Sequence, residues 1–125
     1  MELGALVGTW INSNPDTHSV AVVKATGSGG RLKLQVYIVG AAGLIDLGIA
    51  DAQVFAATPD SQAGAGFTCR YETQLGETRL QGMIMKGLLV LAQFHLFHDN
   101  TKNESYFLRE YFAATHDRFL KGLAR

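Results

Sequence analysis

Alternating apolar and polar residues recur in segments about every dozen residues along almost the whole chain, with only short turns between them. Eight such segments can be read, over residues 5–12, 17–25, 31–39, 44–56, 65–73, 77–86, 88–97 and 104–113. The punctuation is turn chemistry: Pro15 fixes φ, Gly29-Gly30, Gly43 and Gly87 supply positive φ, and Asn14 and Asp16 close Asx-turns. No connection has room for a crossover helix, so neighbouring strands are expected to pair antiparallel. More than half of the 125 residues would then be strand, far above the globular average. An open sheet of that extent exposes long edges, and a closed barrel removes them. The expected fold is therefore all-β, an eight-stranded antiparallel up-and-down β-barrel, in one domain spanning residues 1–125.

The last stretch changes period. Thr115 suits an N-cap, Asp117 the first turn, and Phe119, Leu120 and Leu123 form a stripe at helical spacing. A short C-terminal α-helix over residues 115–124, packed outside the barrel, is expected. A helix of that length does not persist in water without a surface to cover.

Inward faces are legible where alternation is strict. Leu32, Leu34, Val36 and Ile38 alternate with charged or polar neighbours, as do Phe67, Cys69 and Tyr71, and Leu80, Gly82 and Ile84. Residues 44–56 and 88–97 are apolar on both faces. For the second of these, Leu89, Leu91, Gln93, His95 and Phe97 are read as the exterior set, which puts Phe94 inside. Strands with two apolar faces need an outer cover, and only 18% of the chain is charged. A homodimer or higher homo-oligomer is the expected consequence.

Charge and composition narrow the function. Eleven Lys+Arg balance eleven Asp+Glu with no like-charge block, which removes the electrostatic case for nucleic acid or an anionic membrane surface. No apolar run is long enough to span a bilayer as a helix, and no basic n-region with a cleavable apolar core is evident. With one thiol, Cys69, no internal disulfide forms. These readings lead to the expectation of a cytoplasmic protein, in which the Asn103-Glu104-Ser105 sequon is a chance match.

Two short motifs carry a resemblance. Gly8-Thr9-Trp10 opens the first strand, and Arg109 lies in the last, within Tyr106-Phe107-Leu108-Arg109-Glu110. Together with eight meandering strands, this resembles the calycin-like superfamily of lipocalins, fatty-acid-binding proteins and avidins. The resemblance implies a barrel with a small-molecule cavity, one end plugged by Trp10, with Arg109 packed across the indole. Avidins share the short first loop and a Gly-Thr-Trp-x-Asn run, here Gly8, Thr9, Trp10 and Asn12. In them the equivalent Asn points into the ligand pocket. Their biotin site needs several tryptophans, and this chain has one. The chain also lacks the long first loop of lipocalins and the helical pair of fatty-acid-binding proteins.

Individual residues add little reaction chemistry. His95 and His98 stand three apart, on opposite faces of a strand, so they do not share a metal, and no metal or cofactor is expected. Gly27, Gly29 and Gly30 read as a hairpin turn because no helix follows to cradle a phosphate. Cys69 reads as a small buried hydrophobe. Asp46 is the speculative acid or base: with the parity of Gly48 and Ala50 it would point into the barrel mouth, where desolvation raises a carboxyl pKa. The expected ligand contacts are Asn12, Leu34, Val36, Phe67, Tyr71, Phe94 and Arg109. The functional expectation is a barrel that binds a small apolar or aromatic molecule. A barrel-type cyclase or isomerase of bacterial secondary metabolism ranks second, and a structural or protein-interaction barrel with a filled core third.

Overall fold

The computed structural model describes residues 1–115. Its eight strands are β1 (Gly8–Asn12), β2 (Val20–Ser28), β3 (Arg31–Gly40), β4 (Gly43–Ala56), β5 (Gly64–Thr73), β6 (Gly76–Met85), β7 (Leu88–Phe97) and β8 (Tyr106–Thr115). Each pairs antiparallel with the next, and β8 returns to β1, so the sheet closes into a barrel without free edges. No helix occurs among the described residues. Of the helix expected over residues 115–124, Thr115 ends β8 and the rest lies outside the described residues.

Local chemistry sets the turns. Gly29-Gly30 and Lys86-Gly87 both hold two consecutive residues at positive φ, the mirror-image turn whose twist matches a tight hairpin. The barrel interior is then filled by alternate residues. Leu32, Leu34, Val36, Leu80, Leu89, Leu91 and Phe112 are fully buried, and the Phe67 ring lies over Gly82, its cross-strand partner, where a Cβ would collide with it. At the end where β1 begins, Leu6 and Trp10 cover this core, and the indole Nε1–H donates to the Leu6 carbonyl at 3.0 Å. Trp10 is thus an end plug.

Three expectations about side-chain direction are corrected. Arg109 does not reach Trp10: Phe112 and Glu110 face inward on β8, so Arg109, one residue away, points outward beside Ala92. Phe94 also lies outside, its ring 4.9 Å from that of Phe107, because the set containing Gln93 and His95 is the interior one. Asp46 is exposed on the outer face. The cause is a bulge opposite Val36, where β3 advances from Gln35 to Tyr37 while β4 runs from Ile49 back to Asp46. The extra residue on β4 breaks the parity linking Ala50 to Asp46. Gly48 takes φ +88° there, and its N–H donates to Asp46 Oδ1 at 2.8 Å.

Candidate functional site

The two barrel ends differ in chemistry. The end closed by Trp10 is apolar, whereas at the opposite end the interior becomes polar. Asn12, Thr17, Ser19, Thr78, Gln93 and His95 are all buried there. Strict alternation in β6 and β7 produces the pairing: Leu80 faces Gln93, and Thr78 faces His95.

Glu110 organises the cluster. Its Oε1 accepts from Thr17 Oγ1 at 2.7 Å, Asn12 Nδ2 at 3.0 Å and Gln93 Nε2 at 3.4 Å, while Oε2 accepts from Asn14 Nδ2 at 3.2 Å. One carboxylate on β8 thereby ties down the β1–β2 connection. Asn12 Nδ2 also donates to the Val20 carbonyl at 2.9 Å.

Gln93 is completely buried and used at both ends of its amide. The Val20 N–H, beside a bulge in the β2–β3 pairing, donates to Gln93 Oε1 at 3.2 Å, which fixes the amide orientation. His95 Nε2 lies 3.1 Å from that same oxygen and must donate to it. In the neutral imidazole, Nδ1 is then an acceptor, and Thr78 Oγ1 at 3.2 Å supplies the proton. Burial holds the His95 pKa below the ordinary 6.5, opposed in part by the charge of Glu110. The folded protein therefore binds this proton less readily than the unfolded chain. His95 contributes stability that is complete above about pH 6.5 and is lost as pH falls from there through its depressed folded-state value. Urea titrations across that window are expected to show this loss in the wild type, and a smaller one in His95→Gln.

Above this floor the barrel opens into a cavity of about 410 Å³. Ile38, Ile45 and Leu47 on β3 and β4 form one wall, and Phe97 and Tyr106 on β7 and β8 form the other. Ser19, Thr78 and His95 lie between them. The Tyr106 ring stacks on His95 at 4.7 Å between centroids, and its hydroxyl is 2.9 Å from Ser19 Oγ. The rim carries His18 and Glu77, and the Glu77 carboxylate is paired with Arg79 and Arg70. Among the described residues, no three His, Cys, Asp or Glu side chains converge as metal ligands would.

The residues expected to contact a ligand do not line this cavity. Leu34, Val36 and Phe67 belong to the packed core beneath the cavity. Asn12 is spent on Glu110 and Val20, and Tyr71 donates its hydroxyl proton to the carbonyl of Leu34 at 2.8 Å, with the Gly48 carbonyl at 3.2 Å. Burial, the largest cause, pushes the Tyr71 pKa far up, so this hydroxyl stays protonated. Arg109, Phe94 and Asp46 are outside the barrel. Ser19, Thr78, His95 and Tyr106 instead converge on the cavity, supported by Gln93 and Glu110. The sequence marked them only weakly, as polar residues at inward parity near strand ends.

A second groove, of about 470 Å³, lies on the outer surface between Phe55, Met83, Val90, Ala92 and Arg109. The closed eight-stranded antiparallel barrel fits the calycin-like architecture in general. No protein-family model matches the chain, and neither does any curated protein or solved structure.

Proposed function

We propose that this protein is a small-molecule-binding barrel whose ligand enters at the end opposite Trp10. The observation that carries this reading is the cavity above His95, with apolar walls and a few convergent polar groups, the usual composition of ligand sites. Its volume falls within the range, roughly 300–1,000 Å³, of pockets that take drug-sized molecules. Nile red, an uncharged dye that brightens in apolar surroundings, tests it. The wild type is expected to bind one dye saturably, and Ile45→Trp, which fills the mouth, to abolish binding. Met83→Glu, in the outer groove, should leave it intact. Dye binding that survives Ile45→Trp, or that is lost in Met83→Glu, would contradict the reading.

The cyclase or isomerase reading draws on the chain Glu110–Gln93–His95–Thr78. Chemically that chain is a poor proton relay. The Gln93 amide separates carboxylate from imidazole and does not pass a proton between them, and both imidazole nitrogens are engaged. The chain holds His95 in one tautomer and orientation, which suits a fixed binding floor better than acid–base turnover.

We also propose that the protein is a homodimer formed through the outer face of β6–β8. The rows Met83–Val90–Tyr111 and Arg79–Phe94–Phe107 lie on either side of the row Gln81–Ala92–Arg109. Phe107 is 59% and Met83 54% exposed. Exposed apolar side chains rimmed by polar ones mark association surfaces, and aromatic residues with an arginine are enriched in interfaces. Sedimentation is expected to give a dimer for the wild type and a monomer for Phe107→Glu. A wild-type monomer at tens of micromolar would contradict the pairing.

A further inference from the structure

The chemistry of the mouth also restricts what fits in it, an inference that rests on the binding reading above. We infer that the ligand is an uncharged, flat ring compound bearing a hydrogen-bond acceptor, held between the Tyr106–Phe97 wall and the Ile38–Ile45 wall.

Flatness follows from the two walls. β3 and β4 stand across the barrel from β7 and β8, so aliphatic side chains oppose aromatic ones over the cavity. Tyr106 is backed on one side by His95 at 4.7 Å and neighboured by Phe97 at 6.2 Å between centroids, both within 23° of parallel. Tyr106 nevertheless remains 41% exposed at the mouth. A planar ring slipped between the walls gains offset stacking on one side and aliphatic contact on the other.

Neutrality follows from the charges. His95 is buried, which disfavours its charged form, and its two hydrogen-bond partners, the Thr78 hydroxyl and the Gln93 amide oxygen, are neutral. Glu110 lies below the floor with its oxygens occupied by four donors. Glu77 at the rim is paired with Arg79 and Arg70, which hold its carboxyl below the usual range. A charged ligand would leave water for walls that carry no charge, with only His18 and the already paired Glu77 at the rim.

The acceptor follows from counting protons. Ser19 Oγ and Tyr106 OH bond to each other, and whichever donates, the other hydroxyl keeps a proton with no acceptor among the described residues. That proton is at the cavity surface and is available to a carbonyl, ether or ring-nitrogen lone pair on the ligand.

Three naphthalenes separate these requirements: 2-acetylnaphthalene with a carbonyl acceptor, 2-ethylnaphthalene with the same shape and no acceptor, and 2-naphthoate with a charge. Displacement of Nile red at neutral pH is expected to rank acetyl first, tighter than ethyl by about three- to tenfold, the worth of one hydrogen bond. Naphthoate is expected to be weakest. In the double variant Ser19→Ala/Tyr106→Phe, which removes both hydroxyls, the preference for acetyl over ethyl is expected to vanish, whereas either single variant leaves one hydroxyl proton to donate and should keep it. Equal binding of acetyl and ethyl in the wild type would overturn the acceptor requirement, and tightest binding of naphthoate would overturn neutrality. Displacement of Nile red by decahydronaphthalene, of similar size but not flat, as strong as by 2-ethylnaphthalene would overturn the flat-ring class and leave the binding reading standing. Failure of Nile red to bind would remove both.

Discussion

Trp10→Ala is expected to lower the unfolding free energy by about 3–5 kcal/mol, the cost of truncating a fully packed aromatic. The indole is only 4% exposed and packs with Leu6 at the end opposite the buried polar cluster. It pairs across the sheet with Val23 on β2 and Ala114 on β8, so it packs where the chain closes the barrel. Removal leaves a void and an unpartnered Leu6 carbonyl as well as lost apolar burial. A domain of this size has about 5–15 kcal/mol of stability in total, so the variant should be near its folding limit at ambient temperature. Trp10→Phe keeps most of the plug, loses the Nε1–H bond, and is expected to cost clearly less. Guanidinium titrations with equal m-values would make the comparison; a loss below about 1 kcal/mol in the alanine variant would show that the end is not sealed by this residue.

Glu110→Ala is the second large effect. It leaves the Asn12 and Gln93 amides and the Thr17 hydroxyl without their shared acceptor, in a region where these three side chains are buried. Unsatisfied buried donors cost about 1–3 kcal/mol each, reduced where water enters from the open end; a net loss of about 2–4 kcal/mol is expected. Glu110→Gln retains one acceptor oxygen and should fall between alanine and wild type. Because Glu110 also secures the connection carrying His18 and Ser19 to the mouth, Glu110→Ala should weaken ligand binding even where the barrel remains folded. Hydrogen exchange at the Val20 amide, whose bond to Gln93 depends on the amide orientation, should quicken in the same variant. An unchanged Val20 amide together with unchanged stability would mean that Glu110 is not the organiser of this end.

The fold was largely legible because barrel closure depends on features the sequence displays openly. Period-two alternation places Leu32, Leu34 and Val36 inside without ambiguity, and the glycine-rich turns mark where each strand ends. The site was less legible, for two physical reasons. A β-bulge is invisible to alternation: one inserted residue near Gly48 turns Asp46 from an interior candidate into an exposed residue. Strands apolar on both faces leave parity undetermined, and in β7 the wholly apolar set, Leu88, Val90, Ala92, Phe94 and Leu96, belongs outside. That inversion concealed Gln93 and His95, and the same one-residue difference on β8 separated Arg109, outside, from Glu110, inside. The clean alternation of Thr78, Leu80 and Gly82 on β6 held the information needed, since cross-strand partners must share a face.

Methyl and backbone chemical-shift mapping with 2-acetylnaphthalene tests the location of the site most directly. Saturable shifts are expected at Ile38, Ile45, Leu47 and Thr78, with none at Leu32 or Leu89 beneath the Trp10 plug. Shifts confined to Met83, Met85 and Val90 would place binding in the outer groove and contradict the barrel-mouth site.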